Sequence, residues 1–163
     1  MTAVSETSIC NLALQLLGEK RIASLSEDSR TARACNESYE LIRDRELAAH
    51  PWNFARKRAT LAASSTDPEF DFDKAFPLPS DYLDIITPRD RNDLDWQIEN
   101  HEGAPAILTN DGDTLEIQYV ARITDPAMFH TLFVYALAAA LAEHLAETIT
   151  QSNSKQEKAQ KLN

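Results

Sequence analysis

Several groups of side chains in this chain have the types and spacing that chemistry requires. Glu143, His144 and Glu147 fall within one helical turn, and imidazole with carboxylates is a set that transition metals accept. Asn110-Asp111-Gly112-Asp113 has the look of a short calcium loop. Arg56-Lys57-Arg58 is the densest run of cations, and Lys155, Lys158 and Lys161 form a second basic row at i, i+3, i+6. Each acidic group lacks something. A helical carboxylate metal centre takes Glu-x-x-His pairs from facing helices, and the chain contains no such pair. The Asn110–Asp113 segment lacks the ligand alternation and closing Glu of an EF-hand, so it is expected to be a hairpin turn. His50, His101 and His130 have no Ser or Cys in a nucleophile elbow nearby and receive no catalytic role. No metal and no cofactor are expected. The two basic groups remain as candidate interface residues, Arg56, Lys57, Arg58, Lys155, Lys158 and Lys161. The bland alternatives are a strand edge kept soluble by charge and a solvated helix face.

The element around which these groups are arranged is the stretch Asp125 to Thr150. Asp125-Pro126 reads as an N-cap followed by proline at the first helical position. From Met128 to Ala142 the apolar residues go all round the helix, so most of its faces must be covered. The unbroken apolar run Leu132 to Ala142 is shorter than the ~20 residues that span a bilayer, and a core helix is expected, with no membrane as partner. Upstream, Ser5 caps a first helix whose inner face is Ile9, Leu12, Ala13, Leu16 and Leu17, closed by Gly18. Ile22 and Leu25 lie in a short connector. Ser24 with Glu27, or Ser26, caps a second helix from about Asp28 to Ala49. Ala32, Cys35, Tyr39, Ile42 and Ala49 are its expected inner face, with Arg30, Arg33, Arg43, Asp44 and Arg45 outside. Pro51 ends it, and Trp52 and Phe54 form an aromatic plug after it.

Between the helices the periodicity changes to strands. Ala55 to Ala62, Tyr82 to Thr87, Trp96 to Glu99, Ala106 to Thr109 and Leu115 to Val120 are the expected strands. The last two form a hairpin about Asn110–Asp113. Phe76 to Pro79 is extended, and Ala63 to Lys74 is an acidic linker. The fold class is α+β: a bundle of three to four helices around a long apolar C-terminal helix, with a small antiparallel sheet inserted between helix two and the last helix. One domain, 1–163, is expected, with helical parts 5–51 and 125–163 and a β-rich insert 55–122.

Composition narrows the function classes. The 163 residues carry 16 Lys plus Arg against 26 Asp plus Glu, a formal charge of −10. Broad binding to nucleic acid depends on neutralising phosphates and is not expected of such a chain. Gly18, Gly103 and Gly112 are the only glycines, which excludes a P-loop and a dinucleotide fingerprint. Cys10 and Cys35 sit in apolar helical patterns without C-x-x-C spacing and read as reduced core thiols of a protein made in the cytoplasm. Residues Met1 to Glu6 lack the basic-then-apolar pattern of a signal segment, so secretion is not expected.

Several stretches, taken in order, resemble a known family. They are Ile9-Cys10-Asn11-Leu12-Ala13-Leu14-Gln15-Leu16-Leu17-Gly18-Glu19 with Ile22 and Leu25, then His50-Pro51-Trp52-Asn53-Phe54-Ala55. Leu78-Pro79-Ser80-Asp81-Tyr82-Leu83 follows, and then Tyr119-Val120-x-Arg122-x-x-Asp125-Pro126 leading into the Ala/Leu helix. From about Ile9 to Leu162 the chain resembles the tail tubular protein A family of podophages, the head-to-tail adaptor of short-tailed phages. The resemblance implies a structural, non-enzymatic subunit of the virion, assembled in the bacterial host cytoplasm and placed at the head–tail interface. It implies a ring, typically a dodecamer, between the portal protein and the tail nozzle protein, with DNA passing through the lumen without sequence-specific binding. Family members carry a longer C-terminal segment that reaches toward the portal. The excess of carboxylates fits a lumen that does not retain DNA, since like charges repel at short range. The alternative expectation is a small soluble binding or regulatory module acting through the β insert. An enzyme built on Glu143, His144 and Glu147 ranks behind both.

Overall fold

The structure is a computed structural model. It describes residues 3–160, with side chains as far as Ile149. The protein is mixed α+β, with three α-helices and two small antiparallel sheets, and its last helix is long. The chain divides into two compact units. One holds the segments up to Glu46 and from Ile123 onward, and the other is Leu47–Arg122.

In the helical unit, α1 spans Glu6–Leu16. Its start is set by Ser5, whose hydroxyl accepts from the Ser8 amide while the Ser8 hydroxyl accepts from the Ser5 amide. This reciprocal pair satisfies two amides that helix geometry leaves without partners. Gly18 follows in the left-handed region at φ 72°, which a residue without a Cβ adopts freely. The buried stripe of α1 is Ile9, Cys10, Ala13 and Leu14. The expected face of Ile9, Leu12, Ala13, Leu16 and Leu17 is therefore rotated, and Leu16 is exposed. One cause is Asn11, a polar residue turned inward. Its amide donates to the Ile22 carbonyl at 3.0 Å and its carbonyl accepts from the Ile22 amide at 2.8 Å. Asn11 thus mimics a strand partner, fixing the connector against the helix and burying Ile22.

The second helix, α2, spans Arg30–Ala49. Its capping side chain is Ser29, which accepts from the Ala32 amide at 3.2 Å. Ser24 and Ser26 bond each other instead, and Glu27 accepts from the Ala23 amide, so the expected cap lies one short turn too early. Ala32, Cys35, Tyr39 and Ile42 are buried as their spacing predicts, joined by Leu47, whereas Ala49 is exposed. Arg43, expected outside, is buried and pairs with Asp44 at 2.9 Å. Its long aliphatic stem covers apolar surface while the guanidinium keeps a carboxylate partner. Asp125-Pro126 opens a separate 3-10 turn, Pro126–Met128, in which Asp125 accepts from the Ala127 amide. The backbone is extended at Phe129. The third helix, α3, then runs Thr131–Gln160, and the His130 ring accepts from the Leu132 amide. So the dipeptide marks a turn before the helix, not its first residue.

Helix α3 packs against α1. Phe133, Leu137, Ala138, Leu141, Leu145 and Ile149 are buried. The stretch Thr131–Ile149 is long and apolar enough, by length and composition, to cross a membrane, which the count of the unbroken run alone understated. Part of this stretch is buried inside the protein and part, including Leu132 and Tyr135, is exposed.

The β unit contains β1 (Arg56–Ala62), β2 (Lys74–Pro77), β3 (Tyr82–Thr87), β4 (Trp96–His101), β5 (Ala104–Thr109) and β6 (Thr114–Ala121). A first sheet has the order β1-β6-β3 and a second the order β2-β5-β4. The expected β5–β6 hairpin does not form, because these strands belong to different sheets. Asn110–Asp113 is the link between them, and the Asn110 carbonyl accepts from the Asp73 amide at 2.7 Å. The hairpin lies one connection earlier, where His101 faces Ala104. Its two turn residues, Glu102 at φ 53° and Gly103 at φ 86°, have the positive φ values of the mirror-image turns that match strand twist. Each middle strand, β5 and β6, carries the core of its sheet. Ala106, Ile107 and Leu108 are buried in one, and Leu115, Ile117, Tyr119, Val120 and Ala121 in the other.

Candidate functional site

The first sheet carries the basic run. Arg56, Lys57 and Arg58 are consecutive on β1, which is an edge strand bonded only to β6 within that sheet. Side chains alternate across a strand, so the run cannot act as one patch. Lys57 stands on the face of Tyr119, its cross-strand partner, while Arg56 and Arg58 stand opposite Val120 and Gln118 on the other face.

The two faces have different chemistry. On the Lys57 face the ammonium donates to the Asp81 carboxylate at 2.7 Å, and the Tyr119 hydroxyl donates to the other carboxylate oxygen at 3.0 Å. The Asp81 carbonyl also accepts from the Arg122 amide at 2.7 Å. One aspartate therefore joins the start of β1, the middle strand β6 and the entry to β3. Burial pushes the Asp81 carboxyl up, and the bonds from Lys57 and Tyr119 together outweigh it and hold the group below its ordinary value. Tyr119 is pushed up to about 12, by burial first and then by donating to a carboxylate that would repel a phenolate. Lys57 is thus a structural cation. The pleat places it on the opposite face from Arg56 and Arg58.

On the other face the Arg56 guanidinium reaches the Pro51 carbonyl at 3.5 Å. Arg58 has no bonding partner among the described residues. It lines a cleft of about 470 Å³ with Thr60 from β1, Glu116, Ile117 and Gln118 from β6, Thr87 at the end of β3 and Arg91 beyond it. Arg91 is held by Asp93 at 2.8 Å. Gln118 is 9% exposed, and its amide has no side-chain bond among the described residues. The cleft thus offers a free guanidinium, a second one partly neutralised, and an amide able both to donate and to accept. Apart from Arg58, no residue of this lining stood out from the sequence. Gln118 shows no signal there, because a glutamine in an amphipathic strand reads as the solvent-facing residue.

Glu143, His144 and Glu147 are exposed on α3, and no group of three His, Cys, Asp or Glu side chains among the described residues is arranged to hold a metal. His101 bonds the Thr66 carbonyl at 2.9 Å. His50 packs edge-on to Trp52 at 4.9 Å, and Trp52 lies 6.3 Å from Phe54, which is the expected aromatic plug. Cys10 and Cys35 are free and buried. Their mutual hydrogen bond first, and burial second, push the Cys10 thiol far up, so it stays protonated. Lys155 and Lys158 lie on the backbone of α3 with their side chains outside the described residues, and Lys161 lies outside them altogether.

Helix α3 also presents an unexpected surface. Leu132 is 66% exposed and Tyr135 60% exposed, and Ala139 on the same stripe is exposed too. Their spacing of i, i+3, i+7 is one helix face. Comparison with protein-family models finds none that matches this chain, and comparison with curated proteins finds no match.

Proposed function

We propose that the protein is a structural, non-enzymatic subunit of a phage head–tail connector. In this reading it is a ring-forming adaptor between portal and tail nozzle and lines part of the DNA conduit in the virion. The finer arrangement that belongs to it is a helical bundle gathered around α3, with the β unit inserted between α2 and α3. The observation that carries the reading beyond the ordered motifs is the exposed stripe Leu132, Tyr135 and Ala139. Apolar side chains lined up on one helix face supply a surface that another molecule can cover. An adaptor needs such a strip on a stiff element, and α3 is the longest element of the chain. The charge of −10 supports a wall past which DNA moves without sticking. A charge of this sign also keeps free copies apart until a template gathers them.

The test is to mix the purified protein with portal particles and image them by electron microscopy. The expected result is a ring of fixed copy number on one end of the portal. Protein that stays free beside bare portals overturns the adaptor reading.

A further inference from the structure

The chain supplies a segment whose chemistry complements the cleft on the first sheet. Residues 66–73 read Thr-Asp-Pro-Glu-Phe-Asp-Phe-Asp. Asp67, Glu69, Asp71 and Asp73 alternate with larger residues, and Phe70 is 76% exposed at the crest. This loop is tied to the second sheet. The Thr66 carbonyl meets His101, Lys74 pairs with Asp67, and the Asp73 amide donates to Asn110. None of its residues lines the cleft, which is built on the first sheet and on Arg91 beyond β3.

We propose that the acidic loop 66–73 of one copy docks into the Arg58 cleft of a second copy. The volume of about 470 Å³ lies within the ~300–1,000 Å³ of sites that enclose a small ligand, so one aromatic side chain with a flanking carboxylate can enter. Arg58 is free to take a carboxylate as a two-pronged pair, and its guanidinium plane can lie on the Phe70 ring. Gln118 is 9% exposed, and its amide can both donate to and accept from a backbone or carboxylate group of the entering loop. Arg91 adds positive charge, and Glu116 at the rim opposes it. The cleft and the loop are different surfaces of one chain. Used in one direction the contact closes into a ring or runs on as a filament, and exchanged reciprocally between two copies it closes a two-fold dimer. The geometry of the ring rests on the connector reading. The pairing of loop with cleft does not.

The experiment uses the full chain and a synthetic peptide of residues 64–75. Binding is followed by isothermal titration at low salt with wild type, Arg58→Glu and Gln118→Leu. Arg58 is exposed at an edge strand, so Arg58→Glu is expected to melt as wild type does, and Gln118→Leu reads the Gln118 amide separately. The expected result is saturable binding to wild type, weakened about tenfold or more by Arg58→Glu, and restored when the peptide carries Glu69→Lys and Asp71→Lys. No peptide binding to wild type overturns the proposal, and so does equal binding to wild type and Arg58→Glu. Peptide binding without ring formation on portals leaves the cleft assignment standing and removes the connector reading. Rings that form normally from Arg58→Glu protein leave the connector reading and remove the cleft from its interface.

Discussion

Two polar residues that carry no catalytic signature hold much of the local structure. Asn11 satisfies both backbone groups of Ile22 inside the helical unit. Asn11→Ala leaves a buried amide and carbonyl without partners, and such groups cost about 1–3 kcal/mol each when orphaned. The expected result is a loss of about 2 kcal/mol or more in urea unfolding, and a loss below about half a kcal/mol would show that water replaces the side chain. Asp81 is the second. It belongs to the Leu78–Leu83 stretch that carries the family resemblance, and here it clasps Lys57 and Tyr119. Its carboxyl is held below the ordinary value, so the charged form favours the folded state. That contribution is complete above the unfolded carboxylate pKa of ~3.9 and is lost as pH falls through the lower folded value. Both Lys57 and Asp81 are partly exposed, so the pair contributes about 1 kcal/mol or less. Wild type is expected to exceed Asp81→Asn by that amount at pH 7, with the two converging as the pH drops below about 4. A gap that stays constant from pH 7 to pH 3 would rule out the carboxylate as its source.

At the level of elements, α3 is decided by its fully buried leucines. Leu137 and Leu141 are both at 0% exposure, one turn apart. Leu137→Ala is expected to cost on the order of 2–5 kcal/mol, the range of such cavities in packed cores, as read by thermal or urea melts. A variant within about half a kcal/mol of wild type would mean that the neighbouring side chains close the gap. The elements with strong local chemistry were readable before the structure. Ser5 and Gly18 bracket α1, Pro51 follows the end of α2, and the aromatic and β-branched residues of Tyr82–Thr87 give β3 to the residue. What was not readable depended on distant partners. Asn110–Asp113 has turn chemistry whether it joins two strands of one sheet or links two sheets, so pairing could not be told from it. Asp125-Pro126 presets a first turn, but it cannot say that Phe129 then extends the backbone before α3 begins. The same holds for the candidate site. Three adjacent cations look like one patch until a strand alternates them, and Gln118 becomes notable only when burial and the Arg58 cleft surround it.

For the whole molecule the deciding balance is between repulsion and contact. Each copy carries −10, and at physiological salt the Debye length is ~8 Å, so repulsion between copies is short-ranged but present at contact distance. An apolar stripe on α3 acts only once surfaces touch, where it gains about 25 cal/mol for each Å² removed from water. Leu132 and Tyr135 are the two large side chains of that stripe. Replacing both with Ser removes contact area without adding charge, and both are already mostly exposed. The folded chain is therefore expected to keep its stability within about half a kcal/mol for each change, while assembly on portal particles is lost or strongly weakened. Sedimentation of portal mixtures, wild type beside Leu132→Ser/Tyr135→Ser, checks this, with a melt of each protein alone as the control for folding. Normal rings from the double variant would remove α3 from the contact surface. The edge strands β1 and β3 of the first sheet would then be the next surfaces to test.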